Sequence, residues 1–252
     1  MDSIINIEKL SYSINNKKIL KDISLNVKKR QIVGIIGANG CGKSTLLKNI
    51  YNYLNRDSGK IEIDSILIDN YKIGELAKKI AVLLQNQNIN FDFTVEELVE
   101  MGRFIHKKSI FDSLKNDNVV NRSLKAVGMY EFKDRSFLEL SGGERQRVLI
   151  ARSLAQESEI IILDEPTNHL DIKYKIQVMN IIKQLNKTIL TVIHDINIAS
   201  NYCDYIYALK NGDIICHGTP EEVLTKKNIK NIFDVECEVI SHPKTKLPLI
   251  IF

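Results

Sequence analysis

Ile32-Val33-Gly34-Ile35-Ile36-Gly37-Ala38-Asn39-Gly40-Cys41-Gly42-Lys43-Ser44-Thr45 is an apolar run that breaks into a glycine-rich turn and enters a helical pattern carrying Leu46, Leu47 and Ile50. The run fits G-x-x-x-x-G-K-[ST] in the strand–loop–helix setting that the pattern requires. Glycines let successive backbone N–H groups curl around phosphates. Lys43 adds a mobile point charge for β- and γ-phosphates. The Ser44 hydroxyl suits Mg²⁺. The stretch predicts a nucleotide-binding α/β protein. Cys41 inside the loop is either a thiol open to alkylation or a buried, inert one.

Working outward, the second decisive stretch runs from Leu140 to Asp171. It opens Leu140-Ser141-Gly142-Gly143-Glu144-Arg145-Gln146. Ser141 with Glu144 three residues on is a capping box, so a helix is expected from there. Val148, Ala151, Leu154 and Ala155 give its apolar face and leave Arg145, Arg147 and Arg152 to the polar side. Two glycines at its start allow close approach to the backbone, and a helix N-terminus attracts phosphate. Ile160 to Leu163 then reads as a buried strand that delivers Asp164 and Glu165 to a sheet's carboxyl end, where ligands of open α/β sheets bind. Asp164 is expected to bind Mg²⁺, directly or through water. Glu165 is the candidate to polarise an attacking water. Asp171 precedes a helical run to about Leu185.

The remaining segments supply further polar groups. Residues 4 to 36 read as strands, with Tyr12 between two of them. Tyr12 either packs ordinarily or stacks on a base, an interaction worth ~1–3 kcal/mol. Residues 56 to 70 read as a small antiparallel β-piece. Ile80 to Leu84 reads as a strand ending at Gln85, an amide within reach of Mg²⁺ or the attacking water. From about 87 to 157 the pattern turns helical, with a capping box at Thr94 and Glu97. Met101 to His106 places exposed-looking aromatics beside basic residues, fit for contact with another protein or for a capped helix end. Thr188 to Ile193 reads as a strand leading to His194, placed to donate to a γ-phosphate, and to Asp195, a helix cap. Hairpin strands flank Asn211-Gly212. Thr219 to Glu222 caps a short helix, and the tail alternates as two more strands.

Composition bounds the rest. A net charge of +4 over 252 residues, with scattered lysines, gives no case for nucleic acid. No run reaches the ~18 apolar residues of a membrane span. The N-terminus lacks a basic region followed by an apolar core, so a cytoplasmic protein is expected. The four cysteines show no metal-ligand spacing and read as reduced thiols.

With these motifs placed, the chain resembles the ATP-binding cassette family over essentially its full length. Gly37 to Thr45 matches Walker A, Gln85 the glutamine loop, Leu140 to Gln146 the signature and Ile160 to Asp164 Walker B. Glu165 matches the catalytic glutamate, Asn168 to Asp171 the D-loop, His194 the switch histidine and Tyr12 the adenine-stacking aromatic. The resemblance implies ATP and Mg²⁺ as cofactors. It implies one nucleotide-binding domain over 1–252, with a RecA-like P-loop NTPase core, an antiparallel β-subdomain and a helical signature subdomain over about 87–157. It implies a head-to-tail homodimer in which Ser141, Gly142, Gly143 and Glu144 face the partner's ATP.

Thr94 to His106, Asp164 to Ile172 and Gly218 to Leu224 further resemble the ATPases of iron-siderophore, haem and cobalamin importers. That implies a peripheral subunit on the cytoplasmic membrane face. It would dock on a two-copy permease fed by an extracytoplasmic binding protein. The alternatives are a zinc, manganese or other small-solute importer, and a soluble cassette acting on ribosomes or DNA. The latter usually carries two cassettes or a long coiled coil, and neither is seen here.

Overall fold

The computed structural model describes residues 3–84, 89, 91–106 and 113–252, with the side chains of 113–117 excepted. Gln85 lies outside the described residues. In chain order the elements are β1 (Ser3–Ile14), β2 (Lys17–Lys28), β3 (Ile32–Gly37), α1 (Lys43–Ile50), β4 (Ser58–Ile63), β5 (Ile66–Leu67), α2 (Ile73–Lys79), β6 (Ile80–Leu83), α3 (Val95–Glu100), α4 (Ser113–Ala126), α5 (Gly142–Ala155), β7 (Ile160–Asp164), α6 (Ile172–Gln184), β8 (Thr188–Val192), α7 (Ile196–Tyr202), β9 (Tyr205–Lys210), β10 (Asp213–Gly218), α8 (Pro220–Val223), α9 (Lys226–Phe233), β11 (Glu238–Ser241) and β12 (Pro248–Ile251). The chain divides into two compact units, one of residues 1–72 with 187–252 and one of 73–186.

In the first unit β2, β1, β4 and β5 form an antiparallel sheet in that order. β3 runs parallel to β8 on one side and to β9 on the other, and β10 pairs antiparallel with β9. Every residue of β3 and of β8 is buried. That is why both read as unbroken apolar runs: a parallel strand covered on both faces has no solvent side to alternate with. β11 and β12 form the expected C-terminal pair. Its inner side rests on α7, where Asn197 Nδ2 donates to the Ile250 carbonyl at 3.0 Å.

The first unit corrects one expectation. Tyr12 lies inside β1, not between two strands, because β1 runs on to Ile14 through a register shift and pairs Tyr12 with Leu20.

In the second unit β6 and β7 run parallel, with Ile80 opposite Ile160 and Leu83 opposite Leu163. The helices α3, α4 and α5 pack together beside them, with Leu98, Val99, Val120, Leu124, Val148 and Ala151 buried. α3 begins as expected: the Glu97 carboxylate accepts from the Thr94 backbone at 2.8 Å, and the Thr94 hydroxyl accepts from the Glu97 N–H at 3.2 Å.

Two arginines depart from the sequence reading. Arg103 is buried at 3% exposure, not a surface base. Its Nη1 donates to the Ala155 carbonyl at 2.7 Å and to Glu157 Oε2 at 2.8 Å. Phe104 on the same short turn is exposed as expected, and Met101 is exposed as well. Arg152 is not on an open polar face. Burial pulls its guanidinium below the ordinary value, because removing water disfavours the charged form.

Candidate functional site

The phosphate loop lies in the first unit, between β3 and α1. Gly42 caps α1 at φ 109, a left-handed conformation that a side chain would resist. A β-carbon there would also stand 3.0 Å from Leu20 Cδ2. Leu20 is the cross-strand partner of Tyr12. Half-buried Tyr12 is thereby placed one side chain away from the loop.

Lys43 is only 5% exposed. Its Nζ donates to the carbonyls of Gly37 and Ala38, each at 2.9 Å. The cation therefore closes the loop on itself, with its charge at the loop's centre. The Gly212 N–H donates to the Cys41 carbonyl at 3.1 Å and fastens the loop to the β9–β10 turn. Ser44 and Thr45 follow in the first turn of α1, whose N–H groups a helix cannot pair within itself. An anion is the natural acceptor for such groups. Cys41 is buried, and burial outweighs nearby Lys43 to push its thiol up. This favours the inert reading of the cysteine.

His194 belongs to the same sheet edge. β8 pairs in parallel with β3, with Val192 opposite Ile35, so both strands release their chains at the same end. His194 is exposed there. Asp195 caps α7 as expected, its Oδ1 accepting from the N–H groups of Asn197 and Ile198 at 3.1 Å each.

The second unit carries the acidic residues. Asp164 ends β7 and is buried at 6% exposure. Glu165 follows in the left-handed region at φ 54. A carboxylate in that conformation turns sharply away from the strand axis. Asp171 is the N-cap of α6. Ser141 is the N-cap of α5, and Glu144 folds back on it. The carboxylate accepts from the Ser141 N–H at 2.9 Å and from its Oγ at 2.6 Å. The bond from Ser141 holds the Glu144 carboxyl below its usual range. Gly142 is exposed, whereas Gly143 is buried.

Sequence reasoning missed two partners here. The Tyr174 ring covers Gly143, and the Asn168 side chain bonds Glu165. The glycine pair announced a close approach, but only the packing of α6 shows what approaches.

Ser44 and Asp164 offer a hydroxyl and a carboxylate, hard oxygen donors that suit Mg²⁺. Among the described residues no group of three or more His, Cys, Asp or Glu could by itself hold a metal ion. No helix among the described residues is long and apolar enough to cross a membrane.

The model of the family described as ABC transporter matches residues 20–168. The chain is 36% identical to the iron(3+)-hydroxamate import ATP-binding protein FhuC of Bacillus subtilis, over 96% of this chain and 92% of that one. It is 35% identical to the ferric enterobactin transport ATP-binding protein FepC of Escherichia coli, over 97% and 92%. Among solved structures, the bacterial ABC transporter cassette MJ0796, determined as a dimer, superposes with TM-score 0.75 at 31% identity, over 85% of this chain and 98% of that one. The chain belongs to the ABC transporter family, as one of its ATP-binding, ATP-hydrolysing subunits.

Proposed function

We propose that this chain energises the import of a ferric siderophore across the cytoplasmic membrane, acting on its cytoplasmic face as a homodimer. One observation carries the substrate class. The similarity to FhuC and to FepC runs nearly end to end, and the cargoes those two proteins are named for, iron(3+)-hydroxamate and ferric enterobactin, are both iron chelates. The partner is a two-copy permease supplied by an extracytoplasmic binding protein.

Residues 37 to 45 cradle the phosphates of ATP, and Tyr12 stacks on its base. Lys43 exchanges its two carbonyl acceptors for phosphate oxygens, which are the stronger partners because they are charged. Ser44, Asp164 and Gln85 are the residues that would hold Mg²⁺, which would supply neutralisation of the phosphate charge. The Glu165 carboxylate orients and polarises the water that attacks the γ-phosphorus as the bond to the β-phosphate oxygen breaks. His194 donates to the γ-phosphate. Ser141, Gly142 and Gly143 of one protomer present a helix N-terminus to the ATP of the other, with Glu144 setting the cap and Asp171 the start of α6. The dimeric state of the similar cassette MJ0796 supports the homodimer.

The test is genetic. Cells lacking this chain should fail to grow when single ferric siderophores are the only iron source. Normal growth on every siderophore, with failure on limiting zinc or manganese, would contradict the proposal.

A further inference from the structure

The turn after β7 is built around a single side chain. Asn168 engages Glu165 at both ends. Its backbone N–H donates to the Glu165 carbonyl at 3.1 Å, and its side-chain Nδ2 donates to Glu165 Oε2 at 2.7 Å. The far side of the amide is tied as well, since the His169 N–H donates to Asn168 Oδ1 at 3.0 Å. That second bond fixes which way the amide points. With Oδ1 turned to a donor, the NH₂ group is the part that faces the carboxylate.

Glu165 and His169 both adopt positive φ, 54 and 58. The turn is therefore wound tightly around Asn168, and the residues whose backbones are least at ease are the two that it contacts. A carboxylate with neither oxygen anchored rotates about its last side-chain bond, which is broad and roughly two-fold. An N–H bond to one oxygen removes that freedom.

We propose that Asn168 is a positioning residue for ATP hydrolysis: its amide anchors Oε2 of Glu165, so that the carboxylate meets the attacking water in one orientation. The inference rests on the reading of Glu165 as the group that polarises water. Misplacing a reacting group by about 1 Å can cost ~10²-fold in rate, so the anchor matters although it never touches the substrate. Asn168 is exposed, and its replacement leaves the core of the second unit unchanged.

The experiment is a double-mutant cycle in the full-length chain, with kcat and KM for ATP measured in Asn168→Ala, Glu165→Gln and the pair. Asn168→Ala should lower kcat by about 10–100-fold with KM unchanged. It should cost nothing more in the Glu165→Gln background, where no carboxylate remains to orient. Asn168→Asp keeps the shape and the bond from His169 but sets two carboxylates together, and it should lose at least as much. Wild-type kcat in Asn168→Ala or in Asn168→Asp overturns the inference. So does an equal fold-loss from Asn168→Ala in both backgrounds, the signature of a role unrelated to Glu165. Wild-type turnover by Glu165→Gln would instead remove the water-polarising reading itself, and the inference with it.

Discussion

Gly143 lies flat against the ring of Tyr174: a β-carbon on Gly143 would stand 2.6 Å from both Cγ and Cδ1 of that ring. The second glycine of the signature is thus required by packing inside the chain. It sets the start of α5 against α6, the helix that Asp171 caps. Gly143→Ala should force the ring or the helix to move, at a cost of roughly 1–3 kcal/mol for overpacking. Thermal melts should show this loss, and adding Tyr174→Ala should recover part of it. Unchanged melting of Gly143→Ala would show that the ring yields freely.

Arg103 and Arg122 grip one carboxylate, with Glu157 Oε1 and Oε2 each accepting at 2.8 Å. Burial raises Glu157, but the two guanidiniums more than offset this and hold it below its ordinary 4.5. A depressed carboxyl contributes stability above its unfolded pKa and loses it as pH falls through the folded value. Arg103→Met should therefore flatten the stability profile in acid, below about pH 4.5. At neutral pH it should cost less than the ~3–5 kcal/mol of breaking a fully buried pair, since the Glu157 side chain is 37% exposed and keeps Arg122. Denaturant titrations across pH measure both effects.

Much of the site was legible because its signals are local. The phosphate loop, the Ser141–Glu144 and Thr94–Glu97 boxes and the Asp195 cap are bonds between near neighbours in sequence. What stayed hidden depends on packing or lacks a periodic signal. α2 offers no apolar stripe: Leu76 is its buried residue, and Ile73 is 90% exposed. α9 did carry a signal, a Thr225 cap with buried Ile229 and Ile232 three residues apart, but two buried apolar positions over eight residues make a short pattern. Arg103 looked like a surface base because nothing in Met101 to His106 announces Glu157 from fifty residues on. Tyr12 was misplaced because a register shift lengthens β1.

Lys43→Ala should weaken ATP binding and abolish turnover. A charge-assisted hydrogen bond contributes roughly 1.5–3 kcal/mol, or about one to two decades in affinity. Loss of the bonds to the Gly37 and Ala38 carbonyls should loosen the loop as well. Equilibrium binding of a fluorescent nucleotide together with an ATPase assay checks this. Undiminished turnover would make the loop's cation dispensable.

Ser141 should act on the ATP of the other protomer. Combining Ser141→Arg in one copy with Lys43→Ala in the other places both lesions in one composite site and leaves the second intact. Such mixed dimers should keep an ATP-dependent association that Ser141→Arg homodimers lack. Association as poor as in that homodimer, while single-lesion mixed dimers associate well, would place Ser141 on its own protomer's nucleotide.

The central claim is that hydrolysis by this chain drives uptake of ferric siderophore, and transport in cells tests it most directly. Uptake of radiolabelled iron, offered as its hydroxamate or catecholate chelate, is measured in a strain lacking the chain and complemented with wild type or with Glu165→Gln. The account predicts uptake with wild type. With Glu165→Gln it predicts a fall of about 10²–10⁴-fold, the usual contribution of a general base, while ATP-dependent dimerisation persists. Uptake indifferent to the loss of the chain, or restored in full by Glu165→Gln, would contradict it.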